Sequence, residues 1–587
     1  MPLTPCDLLI TNAYVLTMDE AFHRYPDGAV AITGDSIVAV GHEAELRAEY
    51  APAAVHDAGG KVLMPGLVNA HTHAAMTLQR GLADDRRLDV WLMGYMMPVE
   101  KEFVSPDYCR LGTQIACAEM IRSGVTSFAD MFYYEEDVAK ATAEAGMRAL
   151  LGQTILKFPS PDAGSFEDSL AMARGFIDRW KGHPLIVPAP APHAPYTCTP
   201  EILRASTELA LEHDVPLHIH ISETALEVEN SRREHGMPVV PWVKKQGVLE
   251  AKVLAAHCVH VDEGELRTFK HYNTGIAHNP SSNLKLASGV AGVTKMLDLG
   301  LNVGIGTDGP ASNNDLDMFE DVRLAAFLAK GFSGDPTALP AKQALLLATR
   351  LGAQAMHMGH LTGSLEPGKR ADLIVVDLNQ LHNLPAFTHD PDAVYARLVY
   401  AAHSHDVNDV MVNGKWLMRD RQLLTVKENE LLVEAREVAK KIDAFLIERE
   451  ESVLSKLIAL GGSSEEESFE VQIKAKIAEP KSLIDALMEN DIDILYERHY
   501  RQHDAYFFFD DETQGILRYR EDDFIEGKSD IPTKSRARLT LIGLKREDEF
   551  GDEKLLSRSR FLAPATNSLR FYREYFKPKT EIAIEKD

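Results

Sequence analysis

The sequence predicts an α/β protein: a parallel (β/α)8 TIM barrel, a small β-sandwich built from both of its flanks, and a C-terminal antiparallel β-barrel of α+β type. Three observations lead there. Between residues 66 and 362, eight short apolar segments alternate with amphipathic helical runs, the pattern of parallel strands joined by helical crossovers. On either side of that stretch, alternating apolar residues interrupted by Gly and Asp read as antiparallel strands. Beyond residue 468 a strand period returns, now with basic residues two apart.

At the N-terminus, residues 1–65 carry "DLLITNAYVLTMD", "GAVAITGDSIVAVG" and "KVLMPG", and the same texture returns over 363–426 in "ADLIVVDL" and "DVMVNGKWLMRD". Two such flanks can pair as one domain with the barrel inserted between them. The barrel segments are "GLVNAHTH", "GVTSFADM", "MRALLGQTI", "LIVPAPAPHAPY", "VPLHIHISET", "VLAAHCVH", "TGIAHNPSSN" and "LNVGIGTDGP", separated by runs such as "PEILRASTELALEHD". From 427, Leu431, Ala435, Val438, Ile442 and Phe445 recur at steps of three and four, a helix with one packed stripe. The Gly/Ser/Glu run "GGSSEEES" at 461–468 is the clearest linker, so 427–467 reads as helix and linker and 468–587 as a separate domain.

A chain of 587 residues exceeds one hydrophobic core. Its net charge of -26 disfavours nucleic acid and anionic membrane as partners. The five cysteines are odd in number, scattered and free of Cys-x-x-Cys, which fits a reducing, cytoplasmic setting. The first twenty residues lack the basic start and apolar core of a signal peptide, and no apolar run is long enough to span a bilayer.

With 23 histidines in the chain, about one His-x-His triplet arises by chance. Three occur: His71/His73, His218/His220 and His403/His405. The last lies outside the barrel in "AAHSHD" and is the one that chance accounts for. Position separates the others, because barrel chemistry sits at the C-terminal ends of the strands. There the segments end in His71 and His73, His193, His220 followed by Glu223, His257, His278 and Asp308. Taken singly, each has an ordinary structural reading; His218, for example, reads as a packed histidine or as one that supports a ligand from behind. Together, imidazoles and a carboxylate at one mouth suit one divalent ion, zinc first and iron as the alternative, with a position left for water.

In these strand ends, and in "PGLVNAHTHAAMTLQRG", "WLMGYMMPVEK", "AHNPSSNLKL", "GTDGPASNN" and "GSLEPGKRADLIVVD", the chain resembles the amidohydrolase superfamily over residues 7–430. The likeness is to its branch of S-adenosylhomocysteine/5'-methylthioadenosine deaminases and chlorotriazine hydrolases. The resemblance implies one metal held by His71, His73, His220 and Asp308, and a substrate met by Glu100, His193, Glu223 and His278. It also implies hydrolytic release of ammonia from an adenosine derivative. Asp308 would take a proton from the attacking water, His257 would stabilise developing charge, and Glu223 would protonate the ring and serve the leaving group. A halogenated triazine or other heterocycle is the alternative substrate. One departure bears on that choice: relatives acting on ribosyl adenosines have arginines after the third strand, whereas this chain has Gln153 and Ser165 and no arginine between Arg148 and Arg174.

Past the linker, Lys474/Lys476, Arg518/Arg520, Arg536/Arg538 and Arg558/Arg560 each place two bases on one strand face. Such a set suits phosphate. Through "FEVQIKAKI", "QHDAYFFFDDETQGILRYRED", "ARLTLIGLKR" and "LLSRSRF" the region resembles the CYTH fold of triphosphate-tunnel proteins. It departs at Gln472, where the family has an acid, and at Ile542, where it has a lysine. The resemblance therefore implies a domain that binds phosphate or polyphosphate as a sensor or regulator. The remaining expected partners are a small-molecule substrate and further copies of the same chain in a homo-oligomer.

Overall fold

The structure, a computed structural model, describes residues 3–387, 389–460, 468–469, 485, 500–525, 534–550 and 553–586. It divides into two compact units, Met1–Arg87 with Glu100–Ala439, and Leu88–Val99 with Lys440–Asp587.

In the first unit the eight expected segments form a (β/α)8 barrel. Its strands are, in order, Leu67–Thr72, Val125–Phe132, Arg148–Ile155, Ile186–Pro192, Pro216–Ile221, Lys252–His257, Gly275–His278 and Val303–Ile305. Strands 1 to 4 and strands 5 to 8 pair in parallel as two arcs. Two backbone-to-backbone hydrogen bonds link the strand ends of the two arcs. The His220 N–H donates to the His193 carbonyl at 3.0 Å, and the Asp308 N–H donates to the His71 carbonyl at 2.9 Å. The strands are buried along nearly their whole length, which is why they read as continuous apolar runs. Gly275 opens the short seventh strand because any Cβ there would meet the Ala355 carbonyl oxygen at 1.9 Å.

Both flanks enter one nine-stranded sheet. Val62–Pro65 pairs antiparallel with Leu373–Val376 and parallel with Thr4–Leu16, so the chain leaves this sheet at Pro65 and enters the barrel at Leu67. Ile10, Val30, Ile32, Leu373, Val375 and Met411 share one buried cluster drawn from both flanks. A buried ion pair ties sheet to barrel: Arg148, 1 % exposed and at the start of barrel strand 3, donates to both Asp372 oxygens at 2.6 and 3.1 Å and to Asn413 Oδ1 at 3.1 Å.

The expected helix runs over Glu428–Glu450, and Leu431 packs with Leu111 and Ala118 along the anticipated stripe. In the second unit, six antiparallel strands are described, in the order Ser468–Phe469, Glu553–Pro564, Lys534–Phe550, Ile516–Phe524, Tyr500–Phe508, Thr580–Lys586. The helix Leu569–Phe576 supplies buried Phe571, Tyr572, Tyr575 and Phe576 to its core. Arg449 donates to the Gly94 carbonyl and the Tyr575 hydroxyl, which anchors the segment Leu88–Val99 within this unit. The linker residues 461–467, Gln472, and the Lys474/Lys476 pair lie outside the described residues, as do the side chains of Arg558 and Arg560. In the other two basic pairs Arg518 donates to the Thr540 hydroxyl at 3.2 Å, and the remaining three arginines meet acids. Arg520 donates to both oxygens of buried Asp504 at 2.6 and 2.7 Å, and Arg536 and Arg538 lie 3.4 and 3.5 Å from buried Asp522. Burial would raise the Asp504 carboxyl, but Arg520 and Lys586 hold it well below the usual carboxylate range. Among the described residues no helix is long and apolar enough to cross a membrane.

Removing one partner from a buried ion pair leaves the other charge uncompensated. Arg148→Met is therefore expected to cost about 3–5 kcal/mol in denaturant unfolding, and adding Asp372→Asn is expected to recover part of that loss.

Candidate metal centre and active site

Each candidate at the barrel mouth is placed by the last residues of a strand. In strand 1 the i, i+2 spacing puts His71 and His73 on one side, with ring centroids 4.9 Å apart. Across the barrel the His220 ring lies 5.0 Å from His71 and 5.5 Å from His73. One ring nitrogen of each is engaged. His71 Nδ1 lies 2.9 Å from His218 Nε2, His73 Nδ1 lies 2.6 Å from the Met131 carbonyl, and His220 Nδ1 lies 2.7 Å from the His193 carbonyl. These contacts orient the rings and leave each second nitrogen for the centre.

Asp308 faces them. Its Oδ1 sits 3.4 Å from both His71 Nε2 and His73 Nε2. That is long for a hydrogen bond, but donor atoms sharing one tetrahedral ion at about 2.0–2.2 Å stand roughly 3.3–3.5 Å apart. His71 Nε2 is buried with no hydrogen-bond partner. One ligand atom each from His71, His73 and His220 fall within 4.8 Å of one another, as do those of His71, His257 and Asp308. Burial holds His71 near a pKa of about 4 and takes His220 well below the ordinary histidine value, which keeps both imidazoles in the neutral form that ligates. The donor set thus fits a zinc-like divalent ion.

Beside this cluster sits an acid/base pair. Glu223 Oε1 accepts from the Ser288 hydroxyl at 3.1 Å, and Oε2 is 3.9 Å from His257 Nε2. His257 Nδ1 is 2.8 Å from Asn283 Oδ1. Burial alone would lower His257, yet the Glu223 and Asp308 carboxylates outweigh it and raise its pKa. Asp308 is set the other way. Burial opposes its charge, but His71, His257 and His73 hold it well below the carboxylate range, while Gly309 N–H and the Ser282 hydroxyl donate to its two oxygens at 2.7 and 2.6 Å.

Backbone strain collects at these turns. Ser222, His257 and Asp308 have φ of 53°, 71° and 61°, and each such non-glycine residue costs on the order of 1–3 kcal/mol. Gly306 gives room beside them, since a Cβ there would meet the His71 backbone nitrogen at 2.8 Å.

The remaining candidates are spread more widely. His193 joins the ring cluster, 4.8 Å from His220, and burial depresses its pKa to about 3. Glu100 is buried, which pushes its carboxyl up to about 7. His278 is 1 % exposed at the end of strand 7, with Nδ1 unpartnered and no ring contact to the cluster among the described residues. Gln153 and Ser165 are committed internally: Gln153 donates to Asp162 at 2.7 Å, and Ser165 caps the helix Phe166–Trp180. Sequence reasoning did not single out Asp130, which accepts the Ala74 N–H at 2.5 Å, or Asn283, Ser282 and Ser288. Asp130 was signalled by an acid within the apolar strand "SFADMF"; the other three lie in or just after "NPSSNLKL".

Comparisons with known proteins agree with this geometry. Residues 62–417 match the amidohydrolase family model. A 5-methylthioadenosine/S-adenosylhomocysteine deaminase of Syntrophobacter fumaroxidans is 45% identical over 436 residues, 74% of this chain and 98% of that protein. A 5'-deoxyadenosine deaminase of Methanococcoides burtonii is 42% identical over 438 residues, 74% of this chain and 98% of its own. The crystal structure of a zinc-bound adenosine deaminase from Xanthomonas campestris superposes with a TM-score of 0.73 at 40% identity, covering 76% of this chain and all of that one. The chain belongs to the amidohydrolase family.

Proposed function

We propose that the chain is a metal-dependent aminohydrolase that releases ammonia from an adenosine derivative. The observation carrying this reading is the meeting of His71, His73, His220 and Asp308 at one mouth beside the Glu223–His257 pair. The relatives named as deaminases of 5'-modified adenosines support it. A divalent ion held by His71, His73, His220 and Asp308, with zinc the best fit, would acidify water and polarise the ring. The protein groups then divide the proton work. Asp308, kept ionised, accepts the proton of the attacking water through a carboxylate oxygen. Glu223 delivers a proton to the ring nitrogen and serves the departing ammonia. His257, whose pKa the Glu223 and Asp308 carboxylates raise, stabilises the charge that develops as the water attacks. Glu100 accepts hydrogen bonds from ribose hydroxyls, and His193 and His278 line the substrate side.

The stretch Arg148–Arg174 supports a substrate whose 5' group is uncharged. Gln153 and Ser165 make internal bonds, and Lys157 donates to the Tyr196 carbonyl at an exposed position. A halogenated triazine is the competing substrate for the same groups. The C-terminal domain, in this reading, is CYTH-like and binds or senses phosphate rather than cleaving it, because Gln472 and Ile542 stand where the family it resembles has an acid and a lysine. Domain limits at 1–65, 66–362, 363–426, 427–467 and 468–587 complete the proposal. Five buried cysteines without a disulfide support a cytoplasmic setting, and a homo-oligomer is the expected assembly.

Ammonia release from 5'-deoxyadenosine and 5'-methylthioadenosine should exceed that from S-adenosylhomocysteine, disappear on chelation and return with zinc. Turnover of chlorotriazines alone would overturn this reading. Glu223→Gln should lower kcat by about 10²–10⁴-fold with metal content unchanged; wild-type turnover would remove Glu223 from its role. If ionised Glu100 holds the substrate, kcat/KM should fall as pH drops through about 7, and Glu100→Gln should flatten that limb. An unaltered profile would count against it. With tripolyphosphate and magnesium, the full chain is expected to release no orthophosphate above a blank; release would make the C-terminal domain catalytic.

A further inference from the structure

The third His-x-His triplet, apart from the barrel mouth, lies beside another histidine. Two single-turn segments, Leu381–Asn383 and Ser404–Asp406, bring His382, His403 and His405 around one carboxylate. The ring centroids are 5.0 Å apart for His382 and His403, 5.3 Å for His382 and His405, and 5.2 Å for His403 and His405. The carboxylate is that of Asp406, whose side chain is 0 % exposed. Asn383 Nδ2 and the His403 N–H donate to its Oδ2 at 3.1 and 2.9 Å, and His382 Nε2 lies 2.8 Å from the same oxygen. Its Oδ1 is buried with no hydrogen-bond partner and points to His405 Nε2 at 3.5 Å.

A buried carboxylate oxygen without a hydrogen bond is costly, and an imidazole nitrogen at 3.5 Å is too far to supply a good one. A cation between them would. One ligand atom from each of His382, His405 and Asp406 fall within 4.8 Å of one another. The 3.5 Å separation matches, within 0.1 Å, the spacing of Asp308 Oδ1 from His71 and His73 at the barrel mouth. The outer two ligands are open to solvent, His382 with 33 % and His405 with 64 % of the side chain exposed, so an ion has a route in. Arg323 and Arg421 are the nearby competing cations, but both guanidiniums donate to backbone carbonyls, Arg323 to those of Val399 and Ala402 and Arg421 to those of Arg122, Ser404 and Val407. Two imidazoles and one carboxylate select borderline divalent transition ions over magnesium or calcium.

We infer that His382, His405 and Asp406 form a second divalent transition-metal site, separate from the catalytic centre. The Asp377 N–H donates to the Asp406 carbonyl at 2.8 Å just beyond the strand Leu373–Val376, and Val407–Val412 follows directly. An ion there clips together the two loops that flank neighbouring strands of the sheet, a structural rather than catalytic task.

The test is metal content of the full chain after equilibration with excess zinc and removal of loosely held ion. Wild type should retain two zinc ions, and His405→Ala and His382→Gln one each, with specific activity equal to wild type. Both variants change exposed side chains, and activity reports that they fold. A single zinc in wild type overturns the inference. So does a second zinc retained by both variants, which would place that ion elsewhere.

Discussion

Closing the barrel is what assembles the site. Backbone hydrogen bonds that join its arcs are made by His71 with Asp308 and by His193 with His220. Four groups separated by up to 237 positions are therefore neighbours by construction. Barrel closure is repeated in every (β/α)8 protein; here the residues at both seams are the ones with chemistry. Once they meet, electrostatics divides their states. Burial strips the proton from His71, His193 and His220, while the carboxylates raise the pKa of His257 and the imidazoles keep Asp308 ionised. Neutral ligands and an ionised base can thus coexist in one pocket.

That arrangement is bought with strain. Left-handed backbone at Ser222, His257 and Asp308 turns each chain sharply at a strand end. The turns are held by local bonds: Glu227 accepts the N–H groups of Ser222 and Glu223 at 3.2 and 2.8 Å, and Asn283 and Ser282 fix His257 and Asp308. Glu227 is itself pushed up to about 7 by burial. The supporting groups are as buried as those they support, and they come from the segments that follow the strands, Glu227 from the helix Ala225–His235 and Ser282 and Asn283 from the helix Pro280–Lys285.

Much of this was legible in the sequence because it rests on local order. Eight buried strands leave eight apolar runs, and the end of a run marks the mouth, so His71, His73, His220, His257 and Asp308 could be named from position. What the sequence could not show depends on cross-strand register. His218 and His220 have the same spacing, and only the structure shows His218 against the back of His71. In the second unit, the arginine pairs read as a basic face suited to phosphate, and spacing alone did not reveal that the register sets Asp504 opposite Arg520 and Asp522 opposite Arg536. Nor could spacing set His382 beside Asp406, since the contact joins loops 24 residues apart.

The most direct measurement is anomalous diffraction at the zinc edge on crystals of active protein. The account predicts a peak bonded to His71, His73, His220 and Asp308 at about 2.0–2.2 Å. An active crystal with no anomalous density among those four side chains would contradict it.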